Sequence, residues 1–342
     1  MPMPLISMGR WRRVFPFAAV LLVAAFASIA RAAVSKPPLV PEATIPLDHV
    51  SGRIDHMAFD PGRKRLIVAE LGNDTVDVID VVARKVVHRI AGLKEPQGTA
   101  YVKAGDAIAA ANAGDGTVRL FHATDFSPAG TVAVGDDADD LRVDPVDGTL
   151  VAGYGDGGIA WIDTTRAAKL FAIPLPAHPE AFALHPTNGR VFVNVPDARR
   201  IAVLDKSTRR EIAAWSIGAR GSNFPMAVGP GGRAVYSVFR SPPHLVQFDS
   251  GSGAIAAEAE TCGDADDVFV DAKRGRLYVS CGAGSVDVFE QTAAGLRRLG
   301  RIETTSGART SLFVPELDRL YVAQRAGLIG GGATILVLRP EN

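Results

Sequence analysis

The side chains best suited to chemistry recur at a nearly constant interval. Asp55, Gln97, Asp139, Glu180, Phe224, Asp266 and Arg309 follow one another at spacings of 42, 42, 41, 44, 42 and 43 residues. A second column runs beside them: His56, Gly98, Asp140, Ala181, Pro225, Asp267 and Thr310. Four members of these columns, two in each copy, sit in an acidic phrase written twice, GDDADDLRVDP (135–145) and GDADDVFVDA (263–272). Carboxylates gathered at one place raise one another's pKa unless positive charge joins them. Arg309 and a protonated His56 would offset part of that charge, and oxygen ligands of this kind suit a divalent cation such as Ca²⁺ or Mg²⁺. Asp55, Asp139, Glu180 and Asp266 are therefore the candidate metal ligands. Together with His56, Gln97, Asp140, Asp267 and Arg309 they form the candidate ligand-binding set. His178, two residues before Glu180, would reach the same place. The plainer alternative is that an aspartate ahead of a strand only caps a turn by accepting hydrogen bonds from nearby backbone N–H groups.

Whether these residues meet depends on the elements that carry them. From Arg65 the chain reads as an apolar run, a polar turn, the alternating TVDVID, another turn, then KVVHRI. The same order returns around RVFVNV, RLYVSC and RLYVAQ. Short runs rich in β-branched and aromatic residues, separated by Gly, Asp, Asn and Pro, are strands and turns. The first repeat gives strand a over Met57–Asp60, b over 66–69, c over 76–80 and d over 85–90. Seven repeats of four short strands predict an all-β fold, a seven-bladed β-propeller. The last repeat stops at its third strand, ATILVLRP, while ATIPLDHV (43–50) has the character of a missing fourth. Pairing the two would close the ring and remove two exposed sheet edges. In such a ring the link from strand d to the next strand a crosses one face around the axis, which would bring both columns to one funnel.

The phrases RLIVAELGNDTVDVID and RLYVSCGAGSVDVFE resemble the YVTN-repeat propellers of the YncE-like exported proteins, over residues 43–342. That resemblance implies an exported seven-bladed propeller and no particular reaction. It also brings a link to single-stranded DNA, which the charge of the chain does not favour. No Gly-His and Trp-Asp marks of WD40 repeats occur, and G-x-S-x-G, H-E-x-x-H and C-x-x-C-H are absent. Serine hydrolase, zincin and c-type haem readings lose support accordingly. The stretch GLIGGGA (327–333) has the glycines of a phosphate loop but no lysine, and reads as a rim loop.

The first 32 residues have a different character. Arg10, Arg12 and Arg13 precede an apolar run from Phe15 to Ile29, and Ala30-Arg31-Ala32 follows. This is the layout of a cleaved secretory signal, too short in its apolar part for a membrane span. Arg12-Arg13 also fits a twin-arginine signal, although its flanks favour ordinary secretion. Residues 33–42 then read as a tether with three prolines, and 43–342 as the propeller. Without the four arginines of residues 1–32, the 37 basic side chains fall to 33 against 37 acidic ones, net −4. A periplasmic or secreted protein with that balance has no general attraction to nucleic acid or anionic membrane. Its two cysteines suit an oxidising compartment. Cys281 at the end of a strand b and Cys262 in the loop above Asp266 are placed for a disulfide, with two separate thiols as the alternative.

Three function classes follow, the last of them a purely structural scaffold. The first is a module that binds a small-molecule ligand or another exported protein through an acidic central funnel. The second is an enzyme similar to the gluconolactonase-type propellers, in which a divalent cation polarises a lactone carbonyl. There one of Asp139, Glu180 or Asp266 would ligate the metal, another would act as general base, and Arg309 would hold a substrate carboxylate.

Overall fold

The computed structural model describes Met1, Pro4 and residues 36–155, 157–327 and 331–342. The expected signal segment, apart from Met1 and Pro4, lies outside the described residues, as does the centre of the 327–333 loop. The chain divides into Met1–Lys36 and Pro37–Asn342, and the second unit carries the fold. Among the described residues no helix is long and apolar enough to cross a membrane.

Seven four-stranded sheets, each paired in simple a-b-c-d order, make up Pro37–Asn342. Their first strands are Met57–Asp60, Pro96–Val102, Ala138–Val143, Phe182–Leu184, Gly221–Val228, Ala265–Asp271 and Ser311–Val314. Residues from all seven of these strands border a common central space, so strand a is innermost in every blade. The seventh sheet takes its outer strand from the other end of the chain. Leu39–Leu47 runs antiparallel to Ala333–Pro340, with Ile45 opposite Ile335 and Leu39 opposite Pro340. This strand starts four residues before the Ala43 expected from sequence and ends at Leu47 rather than Val50. The physical reason is burial: Leu39 is 1 % exposed and packs with Leu338, so the proline-containing stretch before Ala43 is strand rather than tether.

The core lies between blades. Leu66 and Val68 of blade one pack with Ile45, Ile335 and Tyr321 of blade seven, while Ile67 packs with Ile108 and Phe121 of blade two. Alternate residues of one strand thus serve two neighbours, which is why the b strands read as unbroken apolar runs. On the face opposite the column residues, ion pairs link successive blades. Asp60 caps its turn by accepting from the Gly62 N–H, and Arg63 bridges it to Asp106 of blade two at 2.6 Å. Arg274 repeats the arrangement between Asp271 and Asp318 of blade seven, also at 2.6 Å.

Candidate functional site

Each column sits on a β-bulge in strand a. In blade one the Asp55 N–H donates to Ala69 O at 2.8 Å and Ala69 N–H donates to His56 O at 3.2 Å, so two residues oppose one. Glu180 and Ala181 face Asn194 in the same way, at 3.0 Å each. Register shifts between Pro96 and Thr99, Ala138 and Leu141, Asn223 and Met226, and Ala265 and Asp267 put the same irregularity in blades two, three, five and six. A bulge re-aims consecutive side chains. It is the device that sends the first column to the mouth and the second into the channel below.

The residue two places before the column has left-handed backbone in five blades: Glu95, Asp137, Ser222, Asp264 and Gly307. Aspartate and glycine tolerate that conformation best. These positions form an outer ring that clamps to the next blade. Gln97 Nε2 donates to Asp137 at 3.2 Å, and Arg309 reaches Asp264 at 3.1 Å. His178, the corresponding residue of blade four, lies between Asp137 at 3.5 Å and Asp139 at 3.8 Å, and its Nδ1 contacts Gly155 O.

The mouth is more heavily paired than the sequence suggested. Arg53 meets Asp55 at 2.8 Å. Arg240, on strand b of blade five, pairs with Asp266 and donates through Nε to Ala265 O at 2.8 Å. Its guanidinium lies 3.6 Å from the centre of the Phe224 ring, so Phe224 is a platform that carries a cation across to blade six. Asp55, Asp139 and Asp266 accept no hydrogen bond from a nearby backbone N–H among the described residues. By contrast Asp80 and Asp205, in ordinary turns, do so at 2.8 Å and 2.7 Å. Turn capping therefore does not account for the mouth acids.

Burial and mutual charge set the protonation. Burial pushes the Asp55 carboxyl up to about 7, partly offset by His56 and Arg53, with Asp266 and Asp139 adding to the rise. Burial and the neighbouring Asp139 push Glu180 up to about 7 as well, against the pull of His178. Asp266 and Asp140 are raised by burial too, with His56 and an arginine opposing in each case. The bond to Asp139 raises His178 to about 9. Burial works against a charged His56, but Asp267 and Asp55 outweigh it and keep it well above its usual value.

Burial does not separate the two columns: Asp55 of the first is 0 % exposed, and Asp140 and Asp267 of the second are 2 % and 5 %. His56 bridges upward to Asp55 at 3.6 Å and across to Asp267 at 3.5 Å. Asp267 accepts from the Ser311 N–H at 2.7 Å, and Asp140 pairs with Arg142. Gly98 holds its place in this column because a Cβ there would lie 2.2 Å from Asp139 O. Gly98→Ala is expected to cost about 1–3 kcal/mol, read as a lowered melting temperature. An unchanged melt would mean that blades two and three can part at the bulge.

The four expected metal ligands come within electrostatic reach of one another, since Asp55, Asp139, Glu180 and Asp266 all act on Arg53. They do not assemble into a ligand set. Asp55, Asp139 and Asp266 are each engaged by a cation, and among the described residues no three His, Cys, Asp or Glu side chains stand where they could hold a metal ion. Glu180 is the mouth carboxylate with no cation at ion-pair distance among the described residues. Arg309 is engaged with Asp264 rather than directed at an open position. Cys262 and Cys281 are joined by a disulfide, Cα atoms 5.9 Å apart, which ties the GDADD loop to strand b. Glu70 and Asn112, at the ends of strands b, turn away from the mouth. Glu70 bonds Thr75 inside blade one, and Asn112 accepts from the Lys94 N–H.

The residues that sequence reasoning missed are Arg53, Asp137, Arg142, Arg240 and Asp264. Two carried a signal: the twice-written phrase aligns as D-A-D-D, which already contains Asp137 and Asp264. Arg240 comes from a different strand and had none.

No family model matches the chain, and no curated protein matches it. Solved structures do. The chain is similar to hydrazine synthase of Kuenenia stuttgartiensis, with a TM-score of 0.71 and 16 % identity over 81 % of this chain and 94 % of that one. It is also similar to a chain in the crystal structure of a mitotic checkpoint complex, with a TM-score of 0.75 and 12 % identity over 96 % and 100 %. At these identities the likeness establishes the fold, a seven-bladed propeller, and nothing of activity.

Proposed function

We propose that this is an exported, YncE-like propeller that acts as a binding module, taking a small organic cation at the mouth formed by Asp55, Asp139, Glu180 and Asp266. One observation carries this reading. Carboxyls from four different blades converge here, burial first and their mutual charge second push Asp55 and Glu180 up to about 7, and Glu180 has no cation of its own at ion-pair distance among the described residues. An entering ammonium group would supply the missing charge and release protons as it bound. Export is supported by the pattern of residues 1–32 and suits a disulfide-bonded chain.

Calorimetry with 1,4-diaminobutane, CaCl₂ and MgCl₂ tests the proposal. Diaminobutane is expected to bind several-fold more tightly at pH 8 than at pH 6, because Asp55 and Glu180 ionise between them. Glu180→Gln is expected to weaken it roughly tenfold, the loss of a charged partner. The lactonase-like alternative requires instead that Ca²⁺ or Mg²⁺ bind and that Glu180→Gln abolish it. It is the weaker reading because Asp55, Asp139 and Asp266 already have cationic partners. No heat with any of the three probes would remove both.

A further inference from the structure

Beneath the mouth the channel widens into two cavities of about 360 and 270 Å³, which share Arg142, Val143, Asp267 and Phe269. We propose that this chamber is a second binding site, for a slender apolar molecule that ends in an uncharged hydrogen-bond acceptor such as an amide, ester or ketone. The proposal does not rest on the reading of the mouth.

The walls come first. Phe59, Val143, Val228, Phe269, Val270 and Leu312 lie on innermost strands, where a fold of this kind would bury them, yet each keeps part of its surface open. All six border the chamber, so that surface faces the channel. Apolar area left facing water inside a rigid ring favours an apolar occupant. Cavities of this size admit a chain of several carbon atoms.

The polar end comes next. Arg142 Nη1 donates to Asp140 and to Leu141 O at 2.9 Å. Its Nε–H and Nη2–H have no hydrogen-bond partner among the described residues, and its side chain is 35 % exposed. A guanidinium has five donors in a fixed fork, so one edge remains for an acceptor.

Charge then selects the acceptor. Arg142 is already paired with Asp140, and His56 with Asp267. A carboxylate would add an unmatched negative charge beneath Asp55, Asp139 and Asp266, in a place where burial already raises carboxyl groups. An ammonium group would meet the open edge of Arg142. A neutral carbonyl satisfies the donors and adds no charge.

The test is a head-group pair on the purified protein by isothermal calorimetry at neutral pH, using hexanamide and hexanoate; an alkylammonium is left out because the mouth would take it. Hexanamide is expected to bind, and hexanoate to bind roughly tenfold more weakly or not at all. Val143→Trp, which fills the junction of the two cavities, is expected to abolish hexanamide binding. Arg142→Met is expected to weaken it about tenfold. Because that change leaves Asp140 without its partner and can unfold the chain, the head-group comparison on the unaltered protein decides by itself. Glu180→Gln, at the mouth, is expected to leave hexanamide binding unchanged. The proposal is overturned if hexanamide gives no heat at millimolar concentration or if hexanoate binds more tightly. It is equally overturned if folded Val143→Trp binds as before, or if Glu180→Gln weakens hexanamide binding, which would place that ligand in the mouth.

Discussion

A chain that begins at Asp48 is expected to lose its single cooperative melt and to associate in solution. Removing Leu39–Leu47 leaves Ala333–Pro340 as an unpaired outer strand in blade seven, with its backbone N–H and C=O groups open along the whole length. It also strips Ile45 and Leu47, both buried, from the packing between blades seven and one, and Leu39 from that between blades six and seven. Ile45→Ala alone is expected to cost about 3 kcal/mol, since a large side chain at 0 % exposure leaves a cavity that a sheet cannot collapse to fill. The full truncation removes three such anchors and a ladder of strand hydrogen bonds. Seven blades joined only by their neighbours lose mutual support once the ring opens. Size-exclusion chromatography with light scattering, together with a thermal melt, measures both effects. A monomeric truncation with one sharp transition would mean that the ring holds without its closing strand.

Stability is also expected to fall by several kcal/mol as pH rises from about 5 to about 9, read as a lowered melting temperature. The sign follows from the shifts. Asp55 and Glu180 are raised in the folded protein to about 7 from 3.8 and 4.5, and Glu70 to about 8, first by its burial and then by Asp77. The folded state therefore holds protons that the unfolded chain releases. That stabilisation is complete below about pH 4 and is lost as pH rises through 7 and then 8. His178, raised from 6.5 to about 9 chiefly by Asp139, contributes fully below about pH 6.5 and loses its share through 9. All four slopes run the same way. On the acid side Asp106 and Asp205, held low by Arg63 and Ser207 respectively, contribute above about pH 4 and lose it below. The stability maximum is thus expected near pH 4. Asp55→Asn keeps the shape of the side chain and removes the charge that burial opposes. It is expected to stabilise by about 2 kcal/mol more at pH 8.5 than at pH 5. A melting temperature that is flat or rising between pH 5 and 9 would mean that the mouth acids are ionised without cost.

Much of the architecture was legible because it is written locally and repeatedly. Alternation such as TVDVID, turn residues at regular intervals and an incomplete last repeat determine strands, blade number and ring closure, whatever the side chains touch. The column from Asp55 to Arg309 was legible for the same reason, since a fixed period on a closed ring has to return to one axis. The start of the closing strand was not, because Pro41 reads as tether until Leu39 is seen buried beside Leu338.

What tertiary structure alone decided is pairing. Arg240 reaches Asp266 from 26 residues away, by way of Phe224, and His178 reaches Asp137 from the next blade. Such partners lie on different strands, and no spacing along the chain encodes the distance between them. Composition at the mouth is acidic, but the charge a ligand meets depends on which carboxylates are already answered, and only three-dimensional packing settles that. The bulges, the left-handed outer ring and the half-open apolar walls around Arg142 belong to the same class. Each arises where backbones from separate blades are forced together about one axis.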